Sequence, residues 1–180
     1  MPVEIKNFEQ FVNEQKAYEY GCAMVYFDFP EMQDLHSQID ENDVYVDPED
    51  PTFGLEKEPH VTLLFGLHAN EVTDESVMSV CKSKPVGPIN LGNASIFSNE
   101  KYDVLKMDAD NSVLHELNAE LTKMPHTTSF PDYHPHSTIG YLKPGMGQKY
   151  VDLFAGKKFQ VTPKMVVYTK PNGSKLQEAI

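Results

Sequence analysis

Apolar residues recur along this chain at two periods, and the switches between them outline its elements. "NFEQFVNEQKA" (7–17) predicts a short helix, with Asn7 as cap and Phe8, Phe11 and Val12 inward. "YGCAMVYFDF" (20–29) is apolar on both alternating faces, as a central strand is. "EMQDLHSQI" (31–39) repeats apolar residues at helical spacing just after Pro30. Residues 73–84 predict a helix capped by Thr73, and 111–124 a helix with Leu114, Leu117, Leu121 and Met124 on one side. Residues 89–98 and 102–110 read as a strand pair turning at Asn99–Lys101. A short helix is expected near 145–156, then one or two strands with a Pro-Asn-Gly turn. The acidic stretch 40–58 predicts a connection with a short edge strand at 44–46. It is read as a solvated loop, with a lid over a neighbouring site as the alternative.

Two further strands break the pattern. "EPHVTLLFGL" (58–67) and "YHPHSTIGYL" (133–142) both run His-x-Thr-x into an apolar tail. Alternation puts His60 with Thr62 on one face, and Val61, Leu63 and Phe65 on the other. It likewise pairs His136 with Thr138, opposite Ser137 and Ile139. A strand with a polar face and an apolar back lines a wet cleft while covering a core. Two of them facing each other bring together two imidazoles and two hydroxyls. One imidazole takes the proton of an attacking hydroxyl and the other protonates the leaving oxygen, while threonine hydroxyls hold the non-bridging phosphate oxygens. An internal 2′-hydroxyl nucleophile needs no metal, because it is already tethered beside the phosphorus. His60, Thr62, His136 and Thr138 are therefore the candidate catalytic set.

Charge narrows the ligand. Asp and Glu number 27 against 15 lysines, and there is no arginine. Long nucleic acid is gripped by basic stripes, so none is expected as a partner. A phosphate ligand should be small and held locally, without bidentate guanidinium clamps. No apolar run approaches the ~20 residues of a membrane span, and the first residues do not read as a secretory signal. Cys22 and Cys81 lie in apolar stretches and are expected as buried free thiols in a reducing cytoplasm. One domain is expected over residues 1–180.

The remaining histidines carry less. His36 and His115 are expected to face solvent from helices. His134 and His136 flank Pro135 like two metal ligands, but no third and fourth stand at a known spacing. No metal and no cofactor are expected.

"HVTLLFGL" and "HSTIGYL" resemble the paired motifs of the 2H phosphoesterase superfamily, which includes RNA 2′,3′-cyclic phosphodiesterases. "EPHVTLLFGL" and "YHPHSTIGYLKPG" look more narrowly like the phage anti-CBASS enzymes, which cut the cyclic oligonucleotide signals of bacterial defence. The resemblance implies an α+β, bilobed fold, with two antiparallel sheets forming a concave cleft and helices outside. It implies two pseudo-symmetric lobes, with motif strands at about 60–66 and 136–142, and His60, Thr62, His136 and Thr138 as the catalytic set. It implies cleavage of 3′–5′ bonds in cyclic di- or trinucleotides in the host cytoplasm, without metal. Relatives of that branch use aromatics, Trp among them, to sandwich bases; this chain has no Trp. Stacking then falls to Tyr20, Tyr26, Phe97 and Tyr168, with core packing or surface exposure as the alternative for each. Lys143, just after the second motif in "YLKPG", is the best-placed cation for substrate binding, with a solvated turn lysine as its alternative. Two other functions stand beside this one: opening 2′,3′-cyclic phosphates at RNA ends, and sequestering a cyclic nucleotide without cutting it.

Overall fold

Residues 19–180 are described by the computed structural model, so the helix expected over 7–17 lies outside them. The described residues form two four-stranded antiparallel sheets with few and short helices. The first sheet has the order β2-β1-β7-β8, from β1 (Tyr20–Phe27), β2 (His60–His68), β7 (Pro163–Thr169) and β8 (Lys175–Ala179). The second has the order β5-β4-β3-β6, from β3 (Ile89–Ser98), β4 (Asp103–Asp110), β5 (His136–Leu142) and β6 (Phe159–Val161). The described chain thus begins and ends in one sheet and builds the other between. The C-terminal stretch holds three strands rather than one or two, because Thr162 breaks β6 from β7 and the chain changes sheet there.

Among the described residues four α-helices cover these sheets: α1 (Met32–Ser37), α2 (Asp74–Cys81), α3 (Ser112–Leu121) and α4 (Gln148–Leu153). Thr73 and Asn111 cap α2 and α3 by accepting from the backbone N–H groups of Ser76 and Val113. Leu114, Leu117 and Leu121 of α3 are fully buried, as their spacing predicts. They join Ala23, Val25, Val61, Leu63, Val77 and Val166 in the core. Helix α3 packs on β2, α2 on β7, α1 on β5 and α4 on β3.

The two motif strands are the outer strands of their sheets, and they approach each other. Each carries a bulge at the same place. In β2, Thr62 opposes Met24 and Leu64 opposes Ala23, so Leu63 is the extra residue. In β5, Thr138 opposes Lys106 and Gly140 opposes Leu105, so Ile139 is extra. A side chain from a covering helix bonds each bulge carbonyl: Asn118 Nδ2 donates to the Leu63 oxygen at 2.7 Å, and His36 Nε2 to the Ile139 oxygen at 2.9 Å. His36 is therefore a half-buried structural donor rather than the solvent-facing residue expected, whereas His115 is exposed, edge-on to Tyr133. The β2 bulge also turns Phe65 to the Thr62 side, where it is 45% exposed, against simple alternation.

The acidic stretch is fastened to the far half of β5. Lys143 N–H donates to the Asp43 carbonyl, Tyr45 N–H to Tyr141, Tyr141 N–H to Gly54, and Glu56 N–H to Ile139, all within 3.0 Å. Val44 and Leu55 form isolated bridges with Leu142 and Gly140, near the edge strand expected at 44–46. On β2, Gly66 at φ +108° lets residues 125–127 pair alongside the strand as an antiparallel bridge; a Cβ there would overlap the Thr127 carbonyl oxygen.

Candidate active site

His60 and His136 open their strands, and both rings are anchored by one bond type. His60 Nδ1 lies 2.7 Å from the Glu58 carbonyl oxygen, and His136 Nδ1 lies 2.8 Å from that of His134. A carbonyl only accepts, so each Nδ1 carries the proton and each Nε2 is left for chemistry. The two imidazoles are near enough that charge on His60 opposes charge on His136. The pKa of His136 is held below the usual imidazole value. Burial is the main cause, and the Lys106 ammonium and His60 add to it; the bond to the His134 carbonyl and the Asp108 carboxylate work against it.

Each imidazole has an aromatic neighbour with a lysine over that ring. Tyr26, directly across from His60, has its ring centroid 5.3 Å from the imidazole, and Lys175 Nζ lies 5.6 Å from the Tyr26 centroid. Phe97 meets His136 edge-on at 5.4 Å, and Lys106 Nζ lies 4.3 Å from the Phe97 centroid. The two lysines differ in pairing. Lys175 is ion-paired with Glu58 at 3.1 Å. Lys106 donates to Ser95 Oγ at 2.7 Å, and its Asp108 contact is 3.5 Å.

Thr62 and Thr138 are half-buried on the same faces as their histidines. Burial pushes the pKa of the Cys22 thiol up to about 12, with the neighbouring Thr62 working against it. Cys22 is thus no nucleophile at neutral pH, and it is half-buried rather than buried. Tyr133 ties the motif strands together: its hydroxyl donates to the Thr62 carbonyl at 2.8 Å, three residues before His136.

The other expected site residues divide. Tyr26 and Phe97 stand beside the histidines, and Phe97 is 42% exposed. Tyr20 is nearly buried against Phe65 and His68, at the opposite end of β1 from His60. Tyr168 is fully buried and not available for stacking. It opposes Ala23 on the helix-covered face, close over Gly21, whereas Thr169 opposes Cys22. Lys143 is an exposed turn residue five positions past Thr138, about 16 Å along a strand. The cation beside His136 is Lys106, which the alternation of "DVLKMDAD" already places on a polar face with Asp108.

Two more features adjoin this face. Tyr45, Phe53, Tyr102 and Tyr141 form a cluster of half-buried rings with centroids 5.1–5.4 Å apart, and Tyr141 opposes Val104, two residues from Lys106. On the other side of Asp108, a groove of about 550 Å³ is lined by Asn90, Asp110, Lys158 and Gln160 among others. Among the described residues no three His, Cys, Asp or Glu side chains converge as metal ligands; His134 serves His136 through its carbonyl. No helix among them is long and apolar enough to cross a membrane.

No family model and no curated protein matches the sequence. Solved structures do match. Kluyveromyces marxianus Usb1 superposes with TM-score 0.58 at 14% identity, covering 92% of this chain and all of that one. The same protein with uridine monophosphate gives 0.58 at 13% identity, over 89% and 98%. E. coli LigT complexed with 3′-AMP gives 0.48 at 14%, over 91% and 95%. The fold is 2H phosphoesterase-like. At such identities the likeness is one of architecture, and chemistry rests on the side chains themselves.

Proposed function

We propose that this chain is a metal-independent phosphodiesterase that cuts 3′–5′ bonds of cyclic di- or trinucleotide immune signals. One observation carries the phosphodiesterase reading: two imidazoles on approaching edge strands, each with Nδ1 anchored, Nε2 free and a threonine two residues on. His136, kept neutral near pH 7, accepts the proton of a ribose 2′-hydroxyl as that oxygen attacks phosphorus. His60 delivers a proton from Nε2 to the departing 5′-oxygen. The P–O5′ bond breaks, and a linear product with a 2′,3′-cyclic phosphate and a 5′-hydroxyl leaves. Thr62 and Thr138 donate to the non-bridging oxygens. The Usb1 structure of like fold holds uridine monophosphate, which accords with a nucleotide ligand. Rings at Tyr45, Phe53, Tyr102 and Tyr141 offer one base a stacking surface, and the groove past Asp108 offers another base amides and carboxylates. A formal charge of −12 without arginine favours a small ligand with few phosphates over a long polyanion.

The test incubates purified protein in EDTA with a 3′,3′-linked cyclic dinucleotide and, separately, with a short RNA ending in a 2′,3′-cyclic phosphate. Linear product from the first supports the proposal. Opening of the RNA end alone reassigns the substrate, and recovery of intact cyclic dinucleotide after denaturing a bound complex makes the protein a sequestering one.

A further inference from the structure

Lys106 is an unusual residue for its position. It lies on β4 directly opposite Thr138, and only 6% of its surface is exposed. A buried ammonium is costly unless its charge is met closely. Here it is not. The short bond runs to a neutral hydroxyl, Ser95 Oγ at 2.7 Å. The carboxylate of Asp108 is 3.5 Å away, with its own side chain 55% exposed. Phe97 offers a ring face at 4.3 Å. A cation with one neutral partner, one loose anionic one and a ring is held in place without being neutralised. Lys175, in the matching position beside Tyr26, is paired with Glu58 at 3.1 Å.

We infer that Lys106 is the phosphate-binding cation of this site, its ammonium pairing with a non-bridging oxygen of the bound phosphodiester beside the Thr138 hydroxyl. The inference rests on the phosphodiesterase reading and names the charge that reading lacks. Attack at phosphorus concentrates negative charge on the non-bridging oxygens, and a fixed, buried cation stabilises it more than a solvated one does. With no arginine in the chain, lysine is the side chain left to supply a permanent charge. Phosphate replaces the loose Asp108 contact while Ser95 continues to aim the ammonium.

The test compares wild type with Lys106→Met, which keeps length and removes charge, and Lys106→Arg, which keeps charge. The substrate is a 3′,3′-linked cyclic dinucleotide. Lys106→Met is expected to lower kcat/KM by roughly 10²–10³, mostly in kcat, without a lower melting temperature. Lys106→Arg is expected to recover part of the loss. The charged groups facing His136 are Lys106 and Asp108 from β4 and His60 from β2. Removing the ammonium should therefore move the acid limb of kcat/KM to higher pH. Wild-type kcat/KM with an unmoved limb in Lys106→Met overturns the proposal, as do equal losses with lowered melting in both variants. If Lys106→Met does not fold, Lys106→Gln takes its place. If wild type cuts no phosphodiester, the functional reading has failed, and inorganic phosphate titrated against the His136 imidazole resonances decides for Lys106 alone. Shifts in wild type that vanish in the variant support the assignment; equal shifts in both refute it.

Discussion

His60 and His136 are held by the same bond: each Nδ1–H donates to the carbonyl of the residue two positions earlier, Glu58 or His134. The bond fixes ring plane and tautomer, so two strands from different sheets present the same nitrogen outward. The bulges after Thr62 and Thr138 extend the match, since each frees a carbonyl that a helix side chain then bonds. Equivalent anchoring is what a reaction with one proton acceptor and one proton donor requires.

Replacing either imidazole should remove one proton transfer. His60→Gln and His136→Gln are each expected to lower kcat/KM by roughly 10²–10⁴. Because the two act on one step, the double variant should fall well short of the product of the single losses. Steady-state rates on the cyclic dinucleotide measure this; a double loss equal to that product would mean the histidines work independently.

The rate should also report the His136 environment. Its pKa lies below 6.5, so kcat/KM should climb with pH below that value as the imidazole becomes neutral, and then pass through a maximum because the same step also needs a proton donor. Asp108 favours the protonated ring, so Asp108→Asn should move this limb to lower pH. The same shift links to stability. The unfolded imidazole binds its proton more readily than the folded one, so this group's contribution is complete above about pH 6.5 and shrinks as pH falls through the folded pKa. Unfolding by urea at a series of pH values checks the sign.

Asn118→Ala leaves the Leu63 carbonyl without its 2.7 Å donor at the bulge of β2. A buried acceptor stripped of its partner costs about 1–3 kcal/mol, visible as a lower urea midpoint. Because the bulge sets the direction of Thr62, activity should fall as well; a stable variant with full activity would show that the bulge holds itself.

Gly66→Ala tests the pairing of residues 125–127 with β2. With φ at +108° and the Thr127 carbonyl where a Cβ would stand, the backbone has to move, and the loss should exceed about 1 kcal/mol. An unchanged melting temperature would mean the paired segment is free to retreat.

Much of this architecture was legible because alternation is a local property. The both-faces apolar run at 20–29 predicted a central strand, and β1 lies inside its sheet. The His-x-Thr repeats predicted two strands with polar faces, and both histidines lie half-buried with their threonines. What escaped was whatever depends on register. A bulge adds one residue without a mark in "HVTLLFGL" or "HSTIGYL", and so turned Phe65 around. Tyr168 differs from Thr169 by one position, yet the pairing with β1 sends it to the core. Lys106 sat in plain view on a polar face, but only the pairing of β4 with β5 sets it opposite Thr138. The rings of Tyr45 and Phe53 lay inside an acidic stretch whose fastening to β5 no local pattern announces.

The most direct measurement is a structure of the protein with a non-hydrolysable 3′,3′-linked cyclic dinucleotide. The account predicts a single phosphorus lying between the two Nε2 atoms, one within hydrogen-bond reach of the 2′-oxygen and the other of the 5′-oxygen, about 2.6–3.2 Å in each case. A ligand bound with its phosphates away from either imidazole, or touching only one of them, would contradict it.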